Sequence, residues 1–365
     1  SGTVNELLKS DTITSKYLSE KLKIKHTKNP RPGNGKNILL KGCKGNNLKD
    51  IDVTIPLNVL TVVTGVSGSG KSTLINETLY PLIHNKLFKS EKNVHDFNKI
   101  IGLENIDKIV NISQSPIGRT TRSNPATYCG VFSEIRNLFS NLNESKIRGY
   151  KAGRFSFNVS GGRCEDCKGG GLRQIEMKFL PDVYIECESC MSKRFNRETL
   201  EIKYKGKSIN DVLNMSIDDA TTFFEHIPKI YNKLSTIKNV GLGYLSLGQQ
   251  STTLSGGEAQ RIKLASELSK RDTGKTLFVL DEPTTGLHFE DIRVLLETIK
   301  KLIDRGNTVI IIEHNLDVIK TADYIIDLGP KGGNEGGEII FQGYFNKFLN
   351  SKTSLTAKFL KKELT

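Results

Sequence analysis

Hydrophobic positions along this chain group into short apolar runs and longer amphipathic stretches. Ile38–Lys41, Ile51–Ile55 and Val59–Thr64 are rich in Val, Ile and Thr, side chains that suit a pleated, half-buried strand. A helix is expected from Lys71 to about Leu82, and Lys108–Ile112 reads as another strand just before Gln114. The last third alternates. Helix Gly257–Lys270 precedes strand Thr276–Leu280, helix Glu290–Arg305 precedes strand Thr308–Glu313, and helix Leu316–Thr321 precedes strand Tyr324–Leu328. This rhythm predicts an α/β fold with a mostly parallel sheet, interrupted by a long insertion.

The two ends resemble each other. With one residue gapped, residues 2–22 align with 343–364 through identities such as Gly2/Gly343, Asn5/Asn346, Leu8/Leu349, Thr14/Thr356, Lys16/Lys358 and Leu18/Leu360. A short helix followed by a Thr-started second helix would explain both copies. Residues 1–24 are then expected to be the tail of a preceding, homologous module. The Pro/Gly/Asn-rich, basic stretch 25–37 reads as a linker.

At 365 residues the chain has room for about two or three domains. Lys plus Arg number 53 against 40 acids, a formal +13 that suits a polyanionic partner such as nucleic acid. The longest aliphatic run near the end, Val309–Ile312, is far too short to cross a bilayer. No secretory leader is expected, and a cytoplasmic location is. Six cysteines are too few for a disulfide scaffold at this length.

The chemistry concentrates in four motifs. Gly65-Val-Ser67-Gly68-Ser-Gly70-Lys71-Ser72, followed by Thr73, matches the phosphate loop GxxxxGK[ST] between a strand and a helix. Its backbone N–H groups would wrap phosphate oxygens, Lys71 would reach the β- and γ-phosphates of ATP, and Ser72 would ligate Mg²⁺. The buried strand ending in Asp281-Glu282 would supply a metal carboxylate and a group to orient the attacking water. Leu254-Ser255-Gly256-Gly257-Glu258 opens a helix. Ser255 and Glu258 form a capping box, and the glycine-flanked start leaves N–H groups for a γ-phosphate. Cys164-x2-Cys167-x19-Cys187-x2-Cys190 fits a closed, structural Zn²⁺ site. Cys43 and Cys129 have no partner by spacing and read as small buried residues.

Basic residues surround the cysteines: Arg119, Arg122, Lys151, Arg154, Arg163, Lys168, Arg173, Lys178, Lys193, Arg194 and Arg197. Tyr128, Tyr150, Phe155, Phe157 and Phe195 are interleaved with them. Arg119, Arg122, Arg154, Lys193, Arg194 and Arg197 are the candidate DNA contacts.

Together the motifs resemble the ABC-type ATPases. That resemblance implies that Gln114 and His314 touch Mg²⁺, water or the γ-phosphate, and that Ser255, Gly256 and Gly257 serve the nucleotide of a facing module. One departure is that no aromatic residue lies between Ser19 and Leu79, where many such proteins stack adenine. Residues 115–128, 153–158, 161–167, 179–184 and 281–288 are similar to the second ATPase module of the UvrA family. The resemblance implies a P-loop core at 38–115 and 250–345 and an inserted domain at 116–249. It also implies a zinc module at about 153–203 and a helical tail at 346–365. It further implies binding of damaged double-stranded DNA, loading of UvrB, and pairing with a first module and with a second copy. A related ATPase without a repair role, or a transporter's nucleotide-binding subunit, are the alternatives.

Overall fold

The computed structural model describes residues 2–118, 120–175, 177, 183–270 and 273–364. It divides into two compact units, residues 1–113 with 271–365, and residues 114–270.

The first unit carries β1 (Asn37–Cys43), β2 (Ile51–Pro56), β3 (Leu60–Gly65), β4 (Lys99–Ile101) and β5 (Lys108–Ile112). The second carries two hairpins, β6 (Leu172–Ile175) with β7 (Val183–Glu186) and β8 (Lys203–Tyr204) with β9 (Lys207–Ser208). The chain then returns to the first unit with β10 (Thr276–Asp281), β11 (Thr308–Ile312), β12 (Tyr324–Gly329) and β13 (Glu338–Tyr344). Six strands form one sheet in the order β13-β12-β3-β11-β10-β5. All its pairings are parallel except β12 with β13. Every residue of β3 and β11 is buried, which is why these central strands read as unbroken apolar runs. A smaller antiparallel sheet, β2-β1-β4, shares a core with the larger one through Ile38, Leu40, Ile55, Val63, Leu74 and Ile326.

The helix after β3 runs to Phe88, beyond the expected end at Leu82. Its first part, Thr73–Leu79, is wound wider than an α-helix. The Tyr80 N–H reaches Ile75 O and the Thr78 hydroxyl reaches Thr73 O. Strands β4 and β13 have no counterpart in the sequence reading. Both are edge strands with half-exposed residues and weak patterning, three residues long in β4 and seven in β13.

The second unit packs helices around Phe139, Phe155, Phe157, Phe195 and Phe224. The helix Gly256–Leu268 clusters with it, through Ala259, Ile262 and Ala265. The sequence reading grouped residues 250–270 with the core instead. Both terminal repeats form a helix pair, Val4–Lys9 with Ile13–Leu18 and Phe345–Phe348 with Leu355–Leu364. Thr12 starts the second helix of the first copy as expected, whereas a serine does so in the other. Ser354, the gapped residue, caps the last helix by accepting the Ala357 N–H at 2.9 Å. Among the described residues no helix is long and apolar enough to span a membrane.

Candidate functional site

Parallel register brings four strand ends to one edge of the large sheet. Ile312 pairs with Asp281 on one side and Val63 on the other, and Leu328 pairs with Gly65. In open α/β sheets this carboxyl edge is where ligands bind. The phosphate loop leaves β3 there with Gly65, Gly68 and Gly70 all at positive φ. Gly65 has a second constraint, because a Cβ would lie 2.0 Å from the Leu328 carbonyl. Gly65→Ala therefore adds backbone strain to a clash and should cost about 3 kcal/mol. Gly35→Ala, at φ +78° with nothing within 4 Å, should cost about 1 kcal/mol. Urea midpoints of the two variants check the order.

The loop is braced from behind. Gly68 O accepts from the Gly333 N–H at 3.0 Å and from Asn47 Nδ2 at 2.9 Å, and Ser69 O accepts from the Gly337 N–H at 3.1 Å. Lys71 Nζ donates to Val66 O at 2.8 Å and Gly65 O at 3.2 Å. Burial pulls the Lys71 ammonium below the usual lysine range, and the Glu282, Asp327 and Asp281 carboxylates pull it back up. The Ser69 hydroxyl is buried with no hydrogen-bond partner among the described residues. A cationic cradle with an orphaned donor suits phosphate oxygens.

Asp281 is tied to the phosphate-loop helix. Asn76, one turn beyond Ser72, donates from Nδ2 to Asp281 Oδ2 at 2.8 Å. Next to it, Glu282 sits at φ +41°, a conformation rarely taken by this residue type. Its Oε1 lies 3.6 Å from His314 Nε2. Both loops hang on Glu313, which is buried. One of its oxygens accepts the Thr284 N–H at 3.1 Å and the Thr284 hydroxyl. The other accepts the His314 and Asn315 N–H groups at 2.8 and 2.9 Å. Lys71, Asp281, Glu282 and His314 are thus brought together in the first unit. The acids and Ser72 offer the oxygen ligands that Mg²⁺ prefers.

Gln114, Ser255, Gly256 and Gly257 belong to the second unit. Ser255 caps its helix as expected, its Oγ accepting the Glu258 N–H at 3.2 Å while Glu258 Oε2 accepts the Ser255 N–H at 2.7 Å. Gln114 lies beside this helix start, and a Cβ on Gly256 would be 3.1 Å from its Oε1.

The four cysteines converge. Their Sγ atoms all lie within 4.8 Å of one another, with Cys164–Cys187 at 3.9 Å and Cys167–Cys190 at 3.6 Å. Tetrahedral zinc with Zn–S near 2.3 Å places sulfurs about 3.8 Å apart, so the donors fit Zn²⁺. The Gly171 N–H points at Cys167 Sγ from 3.3 Å, a contact that favours thiolate. Hairpin β6–β7 spans the two CxxC turns. Cys43 and Cys129 are buried elsewhere, and burial pushes each thiol up to about 12.

No protein-family profile matches the chain. The UvrABC system protein A of Staphylococcus aureus is 58% identical over 365 residues, which is all of this chain and 38% of that protein. The protein of the same name from Clostridium perfringens is 60% identical over 365 residues, 39% of its length. Among solved structures, UvrA2 from Deinococcus radiodurans matches with a TM-score of 0.91 and 45% identity, over 99% of this chain and 44% of that one. The chain belongs to the UvrA family. It spans well under half the length of these UvrA relatives.

In this UvrA-family chain the basic candidates separate by burial. Arg194 is 8% exposed, donates to Gly248 O at 3.0 Å and packs over the Phe157 ring, so it supports the fold and is not a surface contact. Phe155, Phe157 and Phe195 are likewise core residues, unable to stack on a base. Arg154 bonds Thr199 at 2.9 Å and lies over the Tyr150 ring. Lys193 and Arg197 are exposed and border a cavity of about 430 Å³ with Lys203. Arg122 is half-buried. Arg119, Lys178 and residues 179–182 lie outside the described residues. Sequence reasoning missed Asn76, Glu313, Thr284 and Asn47. Asn76 and Thr284 have a local signal in their spacing from Ser72 and Asp281, whereas Glu313 and Asn47 act on segments distant in the chain.

Proposed function

We propose that this chain is an ATP-hydrolysing, DNA-binding module of a damage-recognition protein in nucleotide excision repair. Among its own observations, the Asn76–Asp281 hydrogen bond carries the reading, because it holds the acid one helical turn from Ser72. In this reading Ser72 and Asp281 hold Mg²⁺, and Lys71 contacts the β- and γ-phosphates of ATP. Glu282 orients the water that attacks the γ-phosphorus, breaking its bond to the β–γ bridging oxygen to leave ADP and phosphate. His314, 3.6 Å from Glu282, steadies that carboxylate. Bound Mg²⁺ supplies charge neutralisation on the phosphates. Ser255, Gly256 and Gly257 present N–H groups to the nucleotide of a facing module.

Cys164, Cys167, Cys187 and Cys190 hold a structural Zn²⁺, and exposed Lys193 and Arg197 contact the phosphates of damaged duplex DNA. UvrB, a first ATPase module and a second copy of the protein are the proposed partners. The similarity to UvrABC system protein A supports this reading over a transporter subunit.

Gel-shift titration tests it. The chain should bind a duplex with a bulky adduct more tightly than the intact duplex, and equal affinities would sink the repair reading. ATP turnover by the chain should be slow. Ser255→Arg should lower it further while ATP affinity is kept. Turnover indifferent to that substitution rules out dependence on a facing module.

A further inference from the structure

The two terminal repeats have the same sequence pattern, but opposite faces of them are covered. In the N-terminal copy Tyr17 lies on the start of the helix Phe289–Asp304. Its ring stacks on Phe289 with centroids 5.5 Å apart, and its hydroxyl donates to Glu290 Oε2 at 2.8 Å. Thr14 Oγ1 meets His288 Nε2 at 2.9 Å. The opposite face is bare, with Val4 70%, Leu7 37% and Leu18 47% exposed.

In the C-terminal copy the pattern inverts. Phe345, Phe348 and Leu360, the counterparts of Val4, Leu7 and Leu18, are buried against their own unit. Thr356, aligned with Thr14, reaches Asp327 at 3.5 Å. Phe359 is the counterpart of Tyr17, and it is 59% exposed beside Leu355 at 50%. At the aromatic position each copy has therefore filled the contact the other leaves open, whereas Ile13 and its counterpart Leu355 are exposed in both copies, at 52% and 50%. An exposed aromatic–aliphatic pair at i and i+4 forms one continuous helical stripe.

We propose that Phe359 docks on the start of a second Phe289–Asp304-type helix, carried by a second module of this fold. Phe359 takes the place on Phe289 that Tyr17 holds here. Lys358, Lys361 and Lys362 flank Phe359, and on the receiving helix Asp291 lies beside Glu290, which with Glu297 is paired to Arg293. Helix Phe289–Asp304 begins seven residues after Glu282, within the turn that Thr284 ties to Glu313. The terminal helices thus form a reciprocal clasp, each covering the segment after the acidic pair of its neighbour. This inference rests on the repeat and the packing alone, and it stands or falls apart from the ATPase reading.

Two versions of the full chain test it, without nucleotide. In a tagged Tyr17→Asp chain, the new carboxylate beside Glu290 ejects the 13–18 segment and vacates its seat. By biolayer interferometry this chain should bind the untagged wild-type chain about tenfold more tightly than wild type binds wild type. Phe359→Asp in the untagged partner should abolish the gain. Phe359→Tyr, which restores the hydroxyl for Glu290, should keep it. Because Phe359 is exposed, these variants leave the fold intact, which circular dichroism checks. Absence of a gain with Tyr17→Asp, or a gain indifferent to Phe359→Asp, overturns the proposal.

Discussion

Lys71→Ala should lower kcat/KM for ATP by roughly a thousandfold, the scale seen when one preorganised donor to developing charge is removed. The structure gives the reason for so large an effect. The Lys71 ammonium is buried and faces Glu282, Asp327 and Asp281. Without it, the triphosphate would meet these carboxylates with only the proposed Mg²⁺ to balance the charge. Binding should therefore weaken along with turnover, unlike the pattern for Glu282→Gln, which keeps the cation and should retain ATP while losing hydrolysis. Steady-state kinetics together with equilibrium binding of a fluorescent ATP analogue separate the two. If Lys71→Ala binds and hydrolyses ATP as the parent does, the phosphate loop has no chemical role here.

Losing the thiolate centre should have the other large effect, on folding. Structural zinc contributes on the order of 10 kcal/mol to small domains, and Cys187→Ser removes one of four converging donors. We expect that variant to lose its zinc by elemental analysis and to be cleaved by protease between residues 161 and 197. The same cleavage should follow chelation of the parent protein. The first unit carries the phosphate loop and has its own core, so its ATP affinity should change by less than about twofold. A zinc-free Cys187→Ser chain as protease-resistant as the parent would show that the hairpin β6–β7 is held by packing alone.

Both predictions draw on motifs that local sequence specifies. A phosphate loop needs glycines at fixed offsets because only they take positive φ, as Gly65, Gly68 and Gly70 do. The thiolate centre needs two CxxC turns, and Ser255 and Glu258 close their capping box within four residues. The buried parallel strands are equally legible. The predicted Thr276–Leu280 and Tyr324–Leu328 each fall one residue short of the observed ends, since buried parallel strands are apolar throughout.

Surface and core were harder to tell apart in the cysteine-rich region. Arg194, Phe155 and Phe157 satisfy a compositional pattern for nucleic-acid binding, yet they are buried. A cation over an aromatic ring serves a core as readily as a base.

The sequence by itself determined the α/β alternation, the phosphate loop, the acidic strand end, the four-cysteine centre and the repeat at the two ends. These depend on periodicity and on residues close in the chain. Only the tertiary structure decided that Glu313 staples Thr284 to His314, that Asn76 meets Asp281, and that Tyr17 packs on Phe289 while Phe359 is exposed. The physical reason is that hydrogen bonds and burial between distant segments follow from strand order and register. Parallel pairing brings Gly65, Asp281 and Ile312 to one edge, and no local pattern encodes that neighbourhood.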